Sequence, residues 1–141
     1  MERSDTHSGV IMVDRLTKTF GSFTAVKGVS FSVRRFEIFG ILGANGAGKT
    51  TTIRMLTGLL KPTSGEGYVA GLDINSEYEK IKWKIGYMSQ RFSLYDDLTV
   101  GENINFFCGI YGLSNNEIRA RLEGMNEALG LLRFIDRPTS S

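Results

Sequence analysis

Eight consecutive residues carry the strongest chemical signal in the chain: Gly43-Ala44-Asn45-Gly46-Ala47-Gly48-Lys49-Thr50. They fit the pattern G-x-x-x-x-G-K-[ST] in full, the pattern of a phosphate-binding P-loop. A triphosphate is a dense anion, so the backbone must approach it closely with several N–H groups turned inward. Glycine allows positive-φ conformations and puts no Cβ in the way. A helix starting at Lys49 would aim its unpaired N–H groups and the positive end of its dipole at the same phosphates. Lys49 would then bridge the β- and γ-phosphates, and the Thr50 hydroxyl would ligate Mg²⁺. A second glycine pattern competes. Gly65-Glu66-Gly67-Tyr68-Val69-Ala70 spells G-x-G-x-x-A, a dinucleotide fingerprint, but it leads into a short strand instead of joining a strand to a helix. It is read as a turn entering a strand.

The loop needs a strand before it and a helix after it. Residues 38–42 form a short apolar run broken only by Gly40, the pattern of a strand covered on both faces. Residues 49–59 place Ile53, Met55, Leu56, Leu59 and Leu60 at helical spacing, with Gly58 and Pro62 as stop signals. Upstream, residues 10–20 are β-branched and apolar with a polar break at Asp14-Arg15, and Gly21-Ser22 follows as a turn. In residues 29–34, Val29, Phe31 and Val33 alternate with Ser30, Ser32 and Arg34, which predicts a half-buried antiparallel strand. A brief strand at 68–70 after a Thr63-Ser64-Gly65 turn, a short helix at 76–84 and a strand at 85–88 complete this part.

Beyond Gln90 the texture turns helical. Thr99 with Glu102, and Ser114 with Glu117, each fit a capping box. Ile104, Phe107 and Tyr111 make one apolar stripe, and Ile118, Leu122, Met125 and Leu129 another. Both are read as core packing without chemistry. Residues 137–141 are polar and are expected to lack a structural close.

Composition excludes several classes. Of 141 residues, 41% are hydrophobic and 23% charged, an ordinary globular balance. Seventeen basic and fifteen acidic residues give a net charge of +2, too even for a nucleic-acid footprint. Cys108 is the single cysteine, so no intrachain disulfide can form, and its apolar surroundings predict a buried thiol. The one histidine, His7, lies in a polar leader, residues 1–9, that has no apolar stretch of the secretory type. No apolar run approaches the roughly 20 residues of a membrane helix. The chain is expected to be cytosolic, with any membrane part supplied elsewhere.

The surroundings of the P-loop resemble the nucleotide-binding domain of ATP-binding-cassette (ABC) transporters from about Val10 onward. Phe20 before Gly21 is similar to the family's adenine-stacking aromatic, usually a tyrosine. Lys27-Gly28-Val29-Ser30-Phe31 resembles the strand that follows it, and the P-loop has the family's usual G-x-N-G-A-G-K-T form. Leu60-Lys61-Pro62-Thr63-Ser64-Gly65-Glu66 is similar to the segment after the P-loop helix. Ile85-Gly86-Tyr87-Met88-Ser89-Gln90 resembles the strand ending in the Q-loop glutamine, and Leu98-Thr99-Val100-Gly101-Glu102-Asn103 the helix start after it. No N-K-x-D guanine reader is present.

The resemblance implies an α/β fold, a P-loop NTPase of the ABC ATPase core. It would have an N-terminal antiparallel β subdomain and the start of an α-helical subdomain, and would be incomplete. After the leader at 1–9, the β subdomain and P-loop core up to the Q-loop would span 10–92, and the helical part 93–141. Nucleotide would be held by Phe20, Val26, Asn45, Gly46, Ala47, Gly48, Lys49, Thr50 and Thr51. Lys49 and Gln90 would act in catalysis, and Thr50 and Gln90 would hold Mg²⁺. An ordinary strand-end aromatic remains the alternative for Phe20, a plain apolar strand position for Val26 and a polar strand-end residue for Gln90. Residues 91–95 lie where the family docks a helix of its membrane partner.

The signature L-S-G-G-Q, the Walker B strand and the switch histidine of the family do not occur in the sequence, and the ending at 138–141 sits where the signature would begin. The expected function is the ATP-binding subunit of a transporter, and residues 85–111 most resemble ATPases of multidrug or ABC-2-type exporters. It would use ATP and Mg²⁺, pair with a transmembrane permease and a second ATP-binding domain head to tail, bind no nucleic acid, and lie at the inner face of the cell membrane. The chain alone is expected to bind ATP without turnover and to be marginally soluble. A non-transport ABC ATPase acting on ribosomes or DNA, or a non-catalytic nucleotide-binding fragment, is the alternative.

Overall fold

The computed structural model describes residues 9–89 and 94–140. The chain divides into two compact units, Met1–Met88 and Ser89–Ser141.

In the first unit, β1 (Gly9–Phe20) and β2 (Phe23–Arg34) form a hairpin closed by Gly21 and Ser22, with Phe20 opposite Phe23. β3 (Ser64–Val69) pairs antiparallel with the other edge of β1, and β4 (Leu72–Asp73) extends the sheet in the order β2-β1-β3-β4. The Asp14-Arg15 step, polar within an apolar strand, is a bulge. Register slips there against both β2 and β3, and Arg15 takes a φ of 47°. The bulge pushes the Arg15 carbonyl against β3, where a Cβ on Gly65 would collide with it. A Cβ on Gly67 would stand 2.7 Å from Cδ1 of Ile74. Both glycines of the G-x-G-x-x-A stretch therefore serve packing inside a strand. Ser64 and Gly65, expected as turn residues, belong to that strand.

Two helices cover the sheet. α1 (Lys49–Leu56) ends three residues earlier than its apolar spacing predicts, at Thr57 and a left-handed Gly58 whose missing Cβ leaves room for Tyr78. α2 (Tyr78–Lys82) is one turn long. The core joins Val13, Leu16 and Val26 of the hairpin to Met55 and Leu56 of α1, and to Val69, Ile74 and Ile81. Two predicted strands are absent: neither 38–42 nor 85–88 enters the sheet. A buried strand needs hydrogen-bonded neighbours on both sides, and none of the described strands pairs with either segment. Ile38 is 101% exposed and Leu42 94%. Phe39 stacks on Phe31 at 5.1 Å, Ile41 is half-buried, and Ile85 packs against the core.

The second unit holds α3 (Val100–Ile110), α4 (Asn115–Leu129) and a 3-10 turn at Leu131–Phe134. Both capping boxes form. The Thr99 hydroxyl accepts from the Glu102 N–H while the Glu102 carboxylate accepts from the Thr99 N–H, and Ser114 and Glu117 do the same. The apolar stripes are covered unevenly, with Ile118 buried and Met125 and Leu129 exposed. Cys108 is half-buried, where a buried thiol was expected.

The expectation for the tail is corrected. The Val100 and Gly101 N–H groups donate to the Arg137 and Ile135 carbonyls, Pro138 bridges Thr99, and the Thr139 N–H donates to the Leu98 carbonyl. These ties run across more than 30 residues, which no local pattern reports. At their centre is Asn103, 2% exposed. Its amide donates to the Tyr95 carbonyl at 2.9 Å and to the Thr139 hydroxyl at 2.9 Å, and its carbonyl accepts from the Tyr95 N–H at 2.8 Å. Among the described residues no helix is long and apolar enough to cross a membrane.

Two outcomes follow from these contacts. Asn103→Ala removes the bonds of a buried amide to Tyr95 and Thr139, so it should lower stability by about 1–3 kcal/mol and raise hydrogen exchange at the Tyr95 and Thr139 amides together. Loss of protection at only one of the two would show that they are held separately. Bonds from the Thr99 backbone and hydroxyl lower the Glu102 pKa below the ordinary carboxylate value, and bonds from the Ser114 hydroxyl and backbone lower that of Glu117. A depressed carboxylate pKa contributes stability above the unfolded value, near 4.5, and loses it as pH falls through the folded one. Helicity should therefore drop as the pH is taken below 4.5. The double variant Glu102→Gln with Glu117→Gln, which keeps the caps without a titrating group, should lose that acid-dependent component. Circular dichroism against pH checks this.

Candidate functional site

The phosphate loop is built from the strand beneath it upward. β2 carries Val26 into the core at 4% exposure, and Gly48 rests on this part of the strand. A Cβ on Gly48 would collide with the Ala25 carbonyl and stand 3.0 Å from Cγ2 of Val26, and Gly48 also takes a φ of 85°. Two separate reasons thus demand glycine. Gly46, at φ 83°, has open space around it and needs glycine for its backbone alone. The Ala47 N–H donates to the Ala44 carbonyl at 3.2 Å, tightening the loop.

Lys49 opens α1 and folds back over the loop. Its ammonium donates to the Gly43 carbonyl at 2.6 Å and the Ala44 carbonyl at 2.7 Å, using two of its three N–H groups. Asn45 and Thr50 are exposed, and Thr51 is half-buried. Thr52 is buried and bonds the Gly48 carbonyl through both its N–H and its hydroxyl, fixing the first turn. The N-terminus of α1 has no side-chain cap and no acidic residue in its first turn, whereas α3 and α4 each place a glutamate there. The free N–H groups, the lysine and the exposed hydroxyl together suit a polyanion with an accompanying cation. The positive φ of Gly46 and Gly48 and the seating of Gly48 on β2 give the loop the backbone conformation that a close approach to a phosphate chain needs.

Phe20 ends β1 at the tip of the hairpin and is 48% exposed. The Lys18 ammonium lies over its ring, 5.1 Å from the centroid, and donates to the Lys61 carbonyl at 2.7 Å. Lys18 pairs across the hairpin with Val26, the residue under Gly48, so Phe20 stands about 7 Å further along the strand. The Phe20 and Lys18 contact was absent from the sequence reading. Its signal was there, since residues two apart in a strand share a face. Val26 shows almost no surface, so its place is beneath the loop. Gln90, together with residues 91–93 of the segment 91–95, lies outside the described residues.

A family model described as ABC transporter matches residues 26–141. The probable multidrug ABC transporter ATP-binding protein YbhF of Escherichia coli (strain K12) is 50% identical over 130 residues, 92% of this chain and 22% of that protein. The linearmycin resistance ATP-binding protein LnrL of Bacillus subtilis (strain 168) is 43% identical over 122 residues, 86% of this chain and 39% of that one. The chain thus spans well under half the length of these curated relatives. Among solved structures, cbiO1 of Clostridium perfringens, part of the ABC transporter complex cbiONQ, superposes with a TM-score of 0.81 at 27% identity. That match covers 94% of this chain and 55% of cbiO1. With its sheet, phosphate loop and helical unit matched over most of their length, this chain belongs to the ABC transporter ATP-binding family.

Proposed function

We propose that this chain binds MgATP at residues 43–51 and serves as the ATP-binding part of a transporter ATPase. The single observation that carries the reading is the arrangement at the start of α1. A glycine-built loop is seated on β2, the helix N-terminus has no acidic cap, and one lysine is held over the loop. Lys49 would exchange the Gly43 and Ala44 carbonyls for phosphate oxygens, which are stronger acceptors because they are charged. The N–H groups of Gly46 and Gly48, that of Ala47 once it leaves the Ala44 carbonyl, and those of the first turn of α1, with the Asn45, Thr50 and Thr51 side chains, would surround the phosphates. Phe20 would offer its ring to the base, and Val26 would support Gly48 from below. Thr50 and Gln90 would hold magnesium, which when bound neutralises charge on the β- and γ-phosphates. Gln90 would also position the attacking water.

The kinship with YbhF and LnrL supports an exporter of the multidrug type. Its partners in this reading would be a transmembrane permease and a second ATP-binding domain, at the inner face of the membrane. In this reading the 141 residues supply binding. Hydrolysis needs groups beyond those identified here, so the chain by itself releases no phosphate at steady state.

Calorimetric titration of the full-length gene product with ATP in the presence of Mg²⁺ tests the proposal. Lys49→Ala should weaken binding by at least tenfold, since a charge-assisted bond contributes about 1.5–3 kcal/mol. Gly48→Ala should abolish binding and lower stability, because its methyl meets the Ala25 carbonyl. Unchanged affinity in both variants would place the nucleotide elsewhere, and no ATP binding by the parent protein would sink the reading.

A further inference from the structure

We propose that Lys18 is a positioning residue for the nucleotide base: its ammonium covers one face of Phe20 and leaves the opposite face as the stacking surface. The inference rests on the assignment of Phe20 to the base. It goes beyond that assignment by naming what orients the ring and which face the base meets.

Phe20 sits at a hairpin tip with half its surface in solvent. An unanchored ring there would exchange rotamers freely, and a base stacking on it would have to order it. Lys18 removes part of that freedom. Its ammonium lies 5.1 Å from the ring centroid, within the range of a cation–π contact.

The ammonium is itself anchored, by its 2.7 Å bond to the Lys61 carbonyl. That carbonyl belongs to a segment fastened to β1 close by. The Thr63 N–H donates to the Thr17 carbonyl at 2.9 Å, and the Thr19 N–H donates to the Thr63 hydroxyl at 3.0 Å. The cation is therefore held by the folded sheet as well as by the ring.

Two consequences follow for a ligand. The covered face is closed to a base, so stacking is one-sided. A cation on one face also draws π density toward itself, which makes the other face less negative and a better partner for the electron-rich surface of a purine. Ordering the ring before the base arrives reduces the entropy lost on binding.

The test compares ATP with inorganic tripolyphosphate, which shares the phosphates and lacks the base. Both are titrated calorimetrically into the full-length gene product and its Lys18→Met and Lys18→Arg variants. Lys18→Met should weaken ATP about two- to fivefold and leave tripolyphosphate unchanged. Lys18→Arg, which keeps the cation, should restore ATP affinity. In a Phe20→Leu background, Lys18→Met should cause no further loss, because the two residues act through one contact. The proposal is overturned if Lys18→Met leaves ATP affinity unchanged. It is equally overturned if tripolyphosphate weakens in parallel, which would make Lys18 a simple phosphate attractor, or if the two losses add. Failure of the parent protein to bind ATP would instead overturn the underlying assignment of the site.

Discussion

The close approach of Gly48 to Ala25 and Val26 joins the phosphate loop to the sheet, and the geometry of the site depends on it. A left-handed backbone and the lack of a Cβ let the loop lie on β2 at a distance that no other residue could reach. Val26, buried in the core with Met55 and Leu56 of α1, transmits the packing of the sheet to the start of the helix. Thr52 completes the joint by bonding the Gly48 carbonyl twice. The direction in which α1 points its N–H groups is thus set by apolar packing on one side and a missing methyl group on the other. The electrostatics of the site follow from that packing.

The three longer helices solve the same problem in two ways. A helix begins with N–H groups that have no partner in the helix. α3 and α4 satisfy theirs internally through a hydroxyl and a glutamate, and α3 adds the Ile135 and Arg137 carbonyls. α1 begins Lys49-Thr50-Thr51, with no carboxylate in its first turn. A glutamate there would occupy the N–H groups and repel phosphate. The difference between a closed helix start and one open to an anion is therefore written in the first turn of each sequence.

That explains why so much of the site was legible. The helix start at Lys49 after the glycine-rich loop, both capping boxes, the Gly21-Ser22 turn and the Asp14-Arg15 break are each decided within a few residues, and each forms. The failures share the opposite property. Residues 38–42 and 85–88 have the apolar composition of buried strands, but a strand exists only beside another, and none of the described strands pairs with either segment. Nothing in the residues next to Asn103 marks it out. Its role appears only when Tyr95 and Thr139, 8 residues before it and 36 after, come to the same amide. Thr63-Ser64-Gly65 had the composition of a turn, yet Gly65 is glycine because the Arg15 bulge presses on it from the neighbouring strand.

The unpaired state of residues 38–42 also bears on Lys49. With the approach to the loop outside any sheet, the entry at Gly43 and Ala44 gains no order from strand pairing. The lysine supplies it by drawing both carbonyls under one ammonium. The bonds that shape the loop are then the same bonds that must be given up when the ammonium turns to phosphate. At the proposed site, binding would be an exchange of acceptors, carbonyl for charged oxygen, and its net gain would be the difference between two sets of hydrogen bonds. A loop organised in this way would favour a polyanion over a neutral ligand, because only an acceptor stronger than a peptide carbonyl gains from displacing one.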